Sequence, residues 1–108
     1  MSAPRRDALV ADLLDFADEL HGHVKGWTES SFLVDVARQR VVERLLELLG
    51  EVATRLGDEG PEVDMDWQGL RDLRVLLAHA YQRVDPRRLW LYATREVPRM
   101  AKAVRQAR

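Results

Sequence analysis

Between Val41 and Leu56 the chain is apolar at positions 41, 42, 45, 46, 48, 49, 52, 53 and 56, a spacing that suits an α-helix and not a strand. At about 100° per residue these positions form two adjoining stripes, Val41, Leu45, Leu48, Val52 and Leu56 beside Val42, Leu46, Leu49 and Ala53. One stripe is enough to join a small bundle. A second means that the helix is covered on two sides. Two arrangements supply the cover: a symmetric homodimer with this helix at its interface, or a monomeric four-helix bundle with the helix deeply buried. With 108 residues the chain has room for one core and not two, so residues 1–108 form a single domain, and residues 1–6 are expected to be a flexible N-terminus.

The remaining segments repeat the helical period. Asp7 to Val24 carries Leu9, Leu13, Phe16, Ala17, Leu20 and Val24 on one side, with Asp12, Asp15, Asp18 and Glu19 elsewhere, and ends near Gly22. After a turn at Gly26-Trp27, Thr28 or Ser30 caps a second helix running to about Leu56, with an irregularity near Asp35. Gly57-Asp58-Glu59-Gly60-Pro61 is a loop. Asp64 or Asp66 caps a third helix, Trp67 to about Tyr81, and Asp85-Pro86 opens a fourth whose inner face is Leu89, Trp90, Ala93, Val97, Met100, Ala101 and Val104. Pro98 falls inside that fourth helix and predicts a kink. With no period-two run anywhere, the fold class is all-α, an antiparallel bundle of four main helices.

The chain has no cysteine, which excludes disulfides and thiolate metal sites. No apolar run reaches the roughly 18 to 20 residues of a membrane span, and the opening lacks a signal-peptide core, so a cytoplasmic protein is expected. His21 and His23 flank a glycine with no third ligand nearby and read as surface residues, not a metal site. The net charge of -1 hides a division: residues 1–60 carry 7 basic against 12 acidic residues, and residues 67–108 carry 10 against 3. A basic half attracts phosphates. The other account is compositional, since 15 of the 17 basic residues are arginine.

Most groups able to do chemistry fall in Leu70 to Tyr81, where Arg74, His79 and Tyr81 form the pattern Arg-x4-His-x-Tyr. There is no glycine-rich phosphate loop, no Ser-His-Asp order and no acidic cluster with di-metal spacing, which leaves acid-base chemistry without metal or cofactor. A histidine can carry a proton to or from a ribose hydroxyl or a leaving oxygen near neutral pH. An arginine can hold the scissile phosphate and stabilise its growing charge. Together they suit RNA cleavage by attack of the 2′-hydroxyl, a nucleophile that DNA lacks. On a regular helix Arg74 and His79 stand about 140° apart, and Tyr81 only about 20° from Arg74. His79 can therefore join Arg74 only if the helix ends near it or a second subunit contributes the partner residue. The structural alternatives are a surface ion pair for Arg74, a partly buried helix end for His79, and a cover for the core edge for Tyr81.

The setting of this pattern narrows the choice. Trp67 stands seven residues before Arg74, Val84-Asp85 and Trp90 follow, Leu48-Leu49-Gly50-Glu51-Val52-Ala53 lies on the long apolar helix, and Gly26-Trp27-Thr28 with Phe32 and Asp35 precedes it. From about Arg6 to the C-terminus this ordering resembles the HepT-like toxins of the HEPN superfamily. The resemblance implies a HEPN-like homodimer acting as a metal-independent ribonuclease in a toxin-antitoxin pair, with Arg74 and His79 catalytic at the subunit cleft. It implies a nucleotidyltransferase antitoxin of the MntA type that adds AMP to Tyr81, placing bulk and negative charge at the mouth of an anion site. Arg71 and Arg83 are candidates for RNA phosphate contacts. One position departs from the family, which usually has a polar residue, most often asparagine, after the motif arginine; here it is Val75. Two other readings stay open: a catalytically silent dimer that serves the nucleotidyltransferase as partner or substrate, and a non-catalytic RNA-binding bundle.

Overall fold

A computed structural model describes all 108 residues, Met1 to Arg108, and contains helices only. The first, α1 (Ala3–Val24), starts ahead of Asp7 because two signals precede it: the Ser2 side chain accepts from the Arg5 amide, and Pro4 sits in the first turn. Arg6 Nε then donates to the Glu59 carbonyl at 2.7 Å, tying this end of α1 to the turn after α3.

The segment expected as one helix from Thr28 to Leu56 is two, α2 (Glu29–Leu33) and α3 (Val36–Leu56). Thr28 and Ser31 form a reciprocal capping box at the start of α2. Asp35 restarts the chain as N-cap of α3, its carboxylate accepting from the Arg38 amide at 2.8 Å. The break is sealed from inside: the Phe32 carbonyl accepts the Asp35 amide at 3.1 Å and, from buried Gln39, Nε2 at 3.0 Å. Beyond the loop, α4 (Trp67–Ala80) is capped by Asp66, and α5 (Pro86–Leu91) by Asp85 with Pro86 in its first turn.

The irregularity expected at Pro98 is a π turn. Residues Tyr92–Glu96 widen the helix, the Val97 amide bonding five residues back to the Tyr92 carbonyl, before α6 (Val97–Ala107) continues. Proline has no N–H to offer and its ring crowds the preceding turn, and the extra residue accommodates both. The chain from Pro86 to Ala107 is thus one helical rod with a bulge.

Arg6 with Glu59 and His23 with Arg38 set α1 antiparallel to α3, and α6 runs antiparallel to α1, with Pro98 across a cleft from His21 and Val104 across another from Val10. Both apolar stripes of α3 find their cover within this one chain. Val42, Leu45, Leu46, Leu49, Val52, Ala53 and Leu56 are buried between α1 and α4, while Val41 and Leu48 pack partly exposed at the margin. The breadth of α3 is therefore met by the monomeric bundle, and this helix by itself calls for no second subunit. By contrast, α4 leans chiefly on α3 and buries only Leu70, Leu73 and Leu77, which leaves its outer side open. No helix is long and apolar enough to cross a membrane.

Candidate functional site

The register of α4 on α3 is set at Gly50. A Cβ built there would come within 2.5 Å of Arg74 Cβ and 2.9 Å of the Leu70 carbonyl, so the helices approach as closely as a bare backbone permits. One turn towards the start of α4, Arg71 donates from Nε to the Ala53 carbonyl at 3.2 Å and from Nη2 to the Gly57 carbonyl at 2.9 Å. These carbonyls lie at the end of α3, where the Gly57 amide already donates to the Ala53 carbonyl and the helix dipole favours a cation. Arg71 is thereby committed to joining the helices, and its donors point away from Arg74.

Arg74 has its stem against Gly50 and is half-buried, yet its guanidinium makes no hydrogen bond or ion pair in the chain. Since no buried side-chain nitrogen or oxygen lacks a partner, that guanidinium reaches solvent. His79 lies in the last turn of α4, exposed and equally without a partner. The helix ends only at Ala80, too late to unwind the turn between them, so Arg74 and His79 stay on different faces at about 140°. Val75 precedes His79 by one turn on the same open face and is 51% exposed.

Tyr81 departs from the sequence projection. Ala80, at φ -151° and ψ 47°, leaves the helical region, and Tyr81–Arg83 forms a 3₁₀ turn, so the 20° offset from Arg74 no longer applies. The Tyr81 ring, 48% exposed, faces α3, where the Arg40 guanidinium lies 4.8 Å from its centroid. Arg40 in turn donates to Glu43 at 2.6 Å. Arg83 is exposed and unpaired.

Arg40 and Glu43 escape a sequence reading centred on Arg74 and His79, although a trace of them was present. Gln39, Glu43, Leu46, Gly50 and Ala53 follow one another at steps of four and three, which places a carboxylate on a stripe whose other members are uncharged. Burial holds the Glu43 carboxyl above its ordinary pKa, and the charge and hydrogen bond of Arg40 pull it down without cancelling the rise. A raised folded pKa means that the fold holds this proton more tightly than the unfolded chain does. The contribution of Glu43 is therefore fully present below the ordinary value of 4.5 and is lost as pH rises through the raised one. Glu43→Gln removes that titration. In paired thermal melts from about pH 4 to about pH 7, the Tm of the variant relative to the unsubstituted chain should climb with pH; a flat or falling difference would refute the assignment.

Three of the ten basic residues of the C-terminal half have carboxylate partners. Arg105 pairs with Asp18, Arg99 with Asp64 and Glu96, and Arg87 lies 3.9 Å from Glu29. Two clefts lie elsewhere, one of about 430 Å³ between α1 and α6 around His21, Pro98 and Lys102, and one of about 870 Å³ around Arg6, Glu59 and Val104. Neither is lined by a motif residue, and His79 and Tyr81 lie exposed on the surface. An exposed site suits a macromolecule better than an enclosed small substrate.

Fold and site together define an all-helical antiparallel bundle that presents an arginine, a histidine and a tyrosine along the second half of one helix and just beyond it. The profile of the family described as ribonuclease HepT-like matches residues 13–107, and the chain belongs to that family. Among its relatives is a protein of Caldanaerobacter subterraneus subsp. tengcongensis named “putative RNase”, 29% identical over 108 residues, covering 98% of this chain and 95% of the relative. A “putative RNase” of Methanocaldococcus jannaschii is 26% identical over 107 residues, covering 95% and 88%. A “probable ribonuclease HepT” of Thermococcus cleftensis is 32% identical over 69 residues, covering 62% and 63%. No solved structure matches.

Proposed function

We propose that the chain is a metal-independent endoribonuclease toxin of the cytoplasm, active as a homodimer and neutralised by an MntA-type nucleotidyltransferase that adds AMP to Tyr81. The observation that carries this reading is the pair of unpartnered polar groups on α4: the Arg74 guanidinium reaches solvent on one face and the His79 imidazole on another, and neither group is engaged by the fold. Two copies meeting along the open side of α4 would set Arg74 of one beside His79 of the other, which one helix cannot do alone.

In such a cleft the neutral His79 imidazole takes the proton of the 2′-hydroxyl, and the freed oxygen attacks the adjacent phosphorus. The bond from phosphorus to the 5′ oxygen breaks, leaving a 2′,3′-cyclic phosphate. The departing oxygen takes a proton from solvent, and the imidazolium later returns its own proton to solvent. Arg74 carries the charge that accumulates on the non-bridging oxygens. Transfer of AMP from ATP to the Tyr81 hydroxyl, with release of pyrophosphate, would fix a phosphodiester anion at an exposed position and repel RNA from it.

The arrangement is tested by co-expressing Arg74→Ala with His79→Ala. A mixed dimer then keeps one complete pair, so a statistical mixture should recover about a quarter of the unsubstituted activity although each variant alone is inactive. A mixture as inactive as its components would exclude a site shared between subunits. One observation favours a second reading, a catalytically silent dimer that serves only as substrate of the nucleotidyltransferase: Val75 puts an exposed apolar side chain on the face of His79, where the family usually carries a polar one. That reading predicts AMP transfer to Tyr81 and no RNA cleavage.

A further inference from the structure

Opposite the end of α4, a buried carboxylate holds an exposed arginine against an exposed aromatic ring. The Glu43 side chain is 11% exposed and that of Arg40 50%, and they bond at 2.6 Å, with the Arg40 guanidinium 4.8 Å from the Tyr81 ring centroid. Stability gives little reason for this arrangement. An ion pair with one half-exposed member contributes little, and a buried carboxylate costs more than the apolar residue that the stripe carries at Leu46. What the arrangement does achieve is orientation: Glu43 uses one of five guanidinium N–H groups, the Tyr81 ring lies against the guanidinium, and no other group in the chain accepts from its remaining donors.

We propose that Arg40 is a binding residue for an RNA phosphodiester, with Glu43 as its positioning residue and the Tyr81 ring as its support. The identity of the anion rests on the ribonuclease reading above; the existence of the anion site does not. A guanidinium held in one plane by a carboxylate and a ring is pre-organised to donate two parallel hydrogen bonds to phosphate. Arg83, exposed two residues beyond Tyr81, adds an unpaired cation next to it in the chain. The same geometry gives the modification of Tyr81 a second effect. A phosphate attached to its hydroxyl would lie within reach of Arg40, so AMP would occupy the anion site as well as obstruct it.

The test is binding of a short fluorescent RNA with every 2′-hydroxyl methylated, which cannot be cut, followed by anisotropy between about 50 and about 200 mM salt. Cleavage of ordinary RNA is measured in parallel, and circular dichroism melts check that each variant folds. Arg40→Ala should weaken binding roughly tenfold and lower the salt slope by about one. Arg40→Lys should restore the slope but not the full affinity, because it keeps the charge and loses the planar fork. Glu43→Gln is the sharper variant. Removing a negative charge should tighten RNA binding if charge alone matters, whereas loss of positioning should weaken it about threefold.

Equal binding and an equal salt slope for Arg40→Ala and the unsubstituted chain would overturn the proposal, and cleavage by both would leave the ribonuclease reading intact. Tighter binding by Glu43→Gln would overturn its positioning role. Loss of binding in Arg40→Ala while the unsubstituted chain binds without cutting would support the anion site and refute the ribonuclease. No binding by the unsubstituted chain at all would overturn the proposal outright.

Discussion

His79→Ala is expected to lower RNA cleavage by roughly 100- to 10,000-fold, the span over which a positioned acid-base group acts. Arg74→Ala should fall in the same range, since a charged donor at a developing oxyanion is commonly worth about 100- to 1,000-fold. Neither substitution should disturb folding. His79 is exposed and makes no intramolecular hydrogen bond, and Arg74 contributes packing through its stem alone. That combination separates a catalytic role from a structural one: activity should collapse while thermal melts stay within about 2 °C of the unsubstituted chain, as surface substitutions do. A matching loss of stability would instead assign these residues to the fold.

The second large effect is expected at Gly50. Alanine normally gains about 1 kcal/mol over glycine inside a helix. Here the added Cβ meets Arg74 Cβ at 2.5 Å and a backbone carbonyl at 2.9 Å, and neither atom is the free end of a flexible chain. The helices must move apart, and such overpacking costs about 1 to 3 kcal/mol. The clash therefore outweighs the propensity, and Gly50→Ala should lower Tm by about 5 to 10 °C. Gly22→Ala is the internal control. It lies inside α1 with no atom within 4 Å of the added methyl, so propensity acts unopposed and should stabilise by roughly 0.5 to 1 kcal/mol. Opposite signs at the two glycines, read by melts, would establish Gly50 as the contact that seats α4. Stabilisation by both would remove it. Because Arg74 is the residue displaced, Gly50→Ala should also reduce cleavage.

Much of this architecture was legible in the sequence because it is local. Thr28, Asp66 and Asp85-Pro86 start helices through their own side chains and their own missing amide, and Pro98 disrupts its own turn. The apolar stripes of α3 declared that it is buried on two sides. They could not say by what, because a stripe has the same spacing whether α4 or another subunit covers it. The site was legible as a set of residue types and not as a surface. The use of Arg71 by the end of α3, the early departure of the chain at Ala80 and the meeting of Arg40 with Tyr81 all depend on the register between two helices. That register is fixed at Gly50, and a glycine in a sequence does not announce which neighbour needs the space.

The ribonuclease stands or falls on incubation of the purified chain with a defined RNA in EDTA, after mass spectrometry has shown Tyr81 to be unmodified. Cleavage should leave 2′,3′-cyclic phosphate ends and disappear in His79→Ala and Arg74→Ala. Intact RNA in every lane, from protein whose Tyr81 carries no AMP, would contradict the ribonuclease and leave the silent partner of a nucleotidyltransferase in its place.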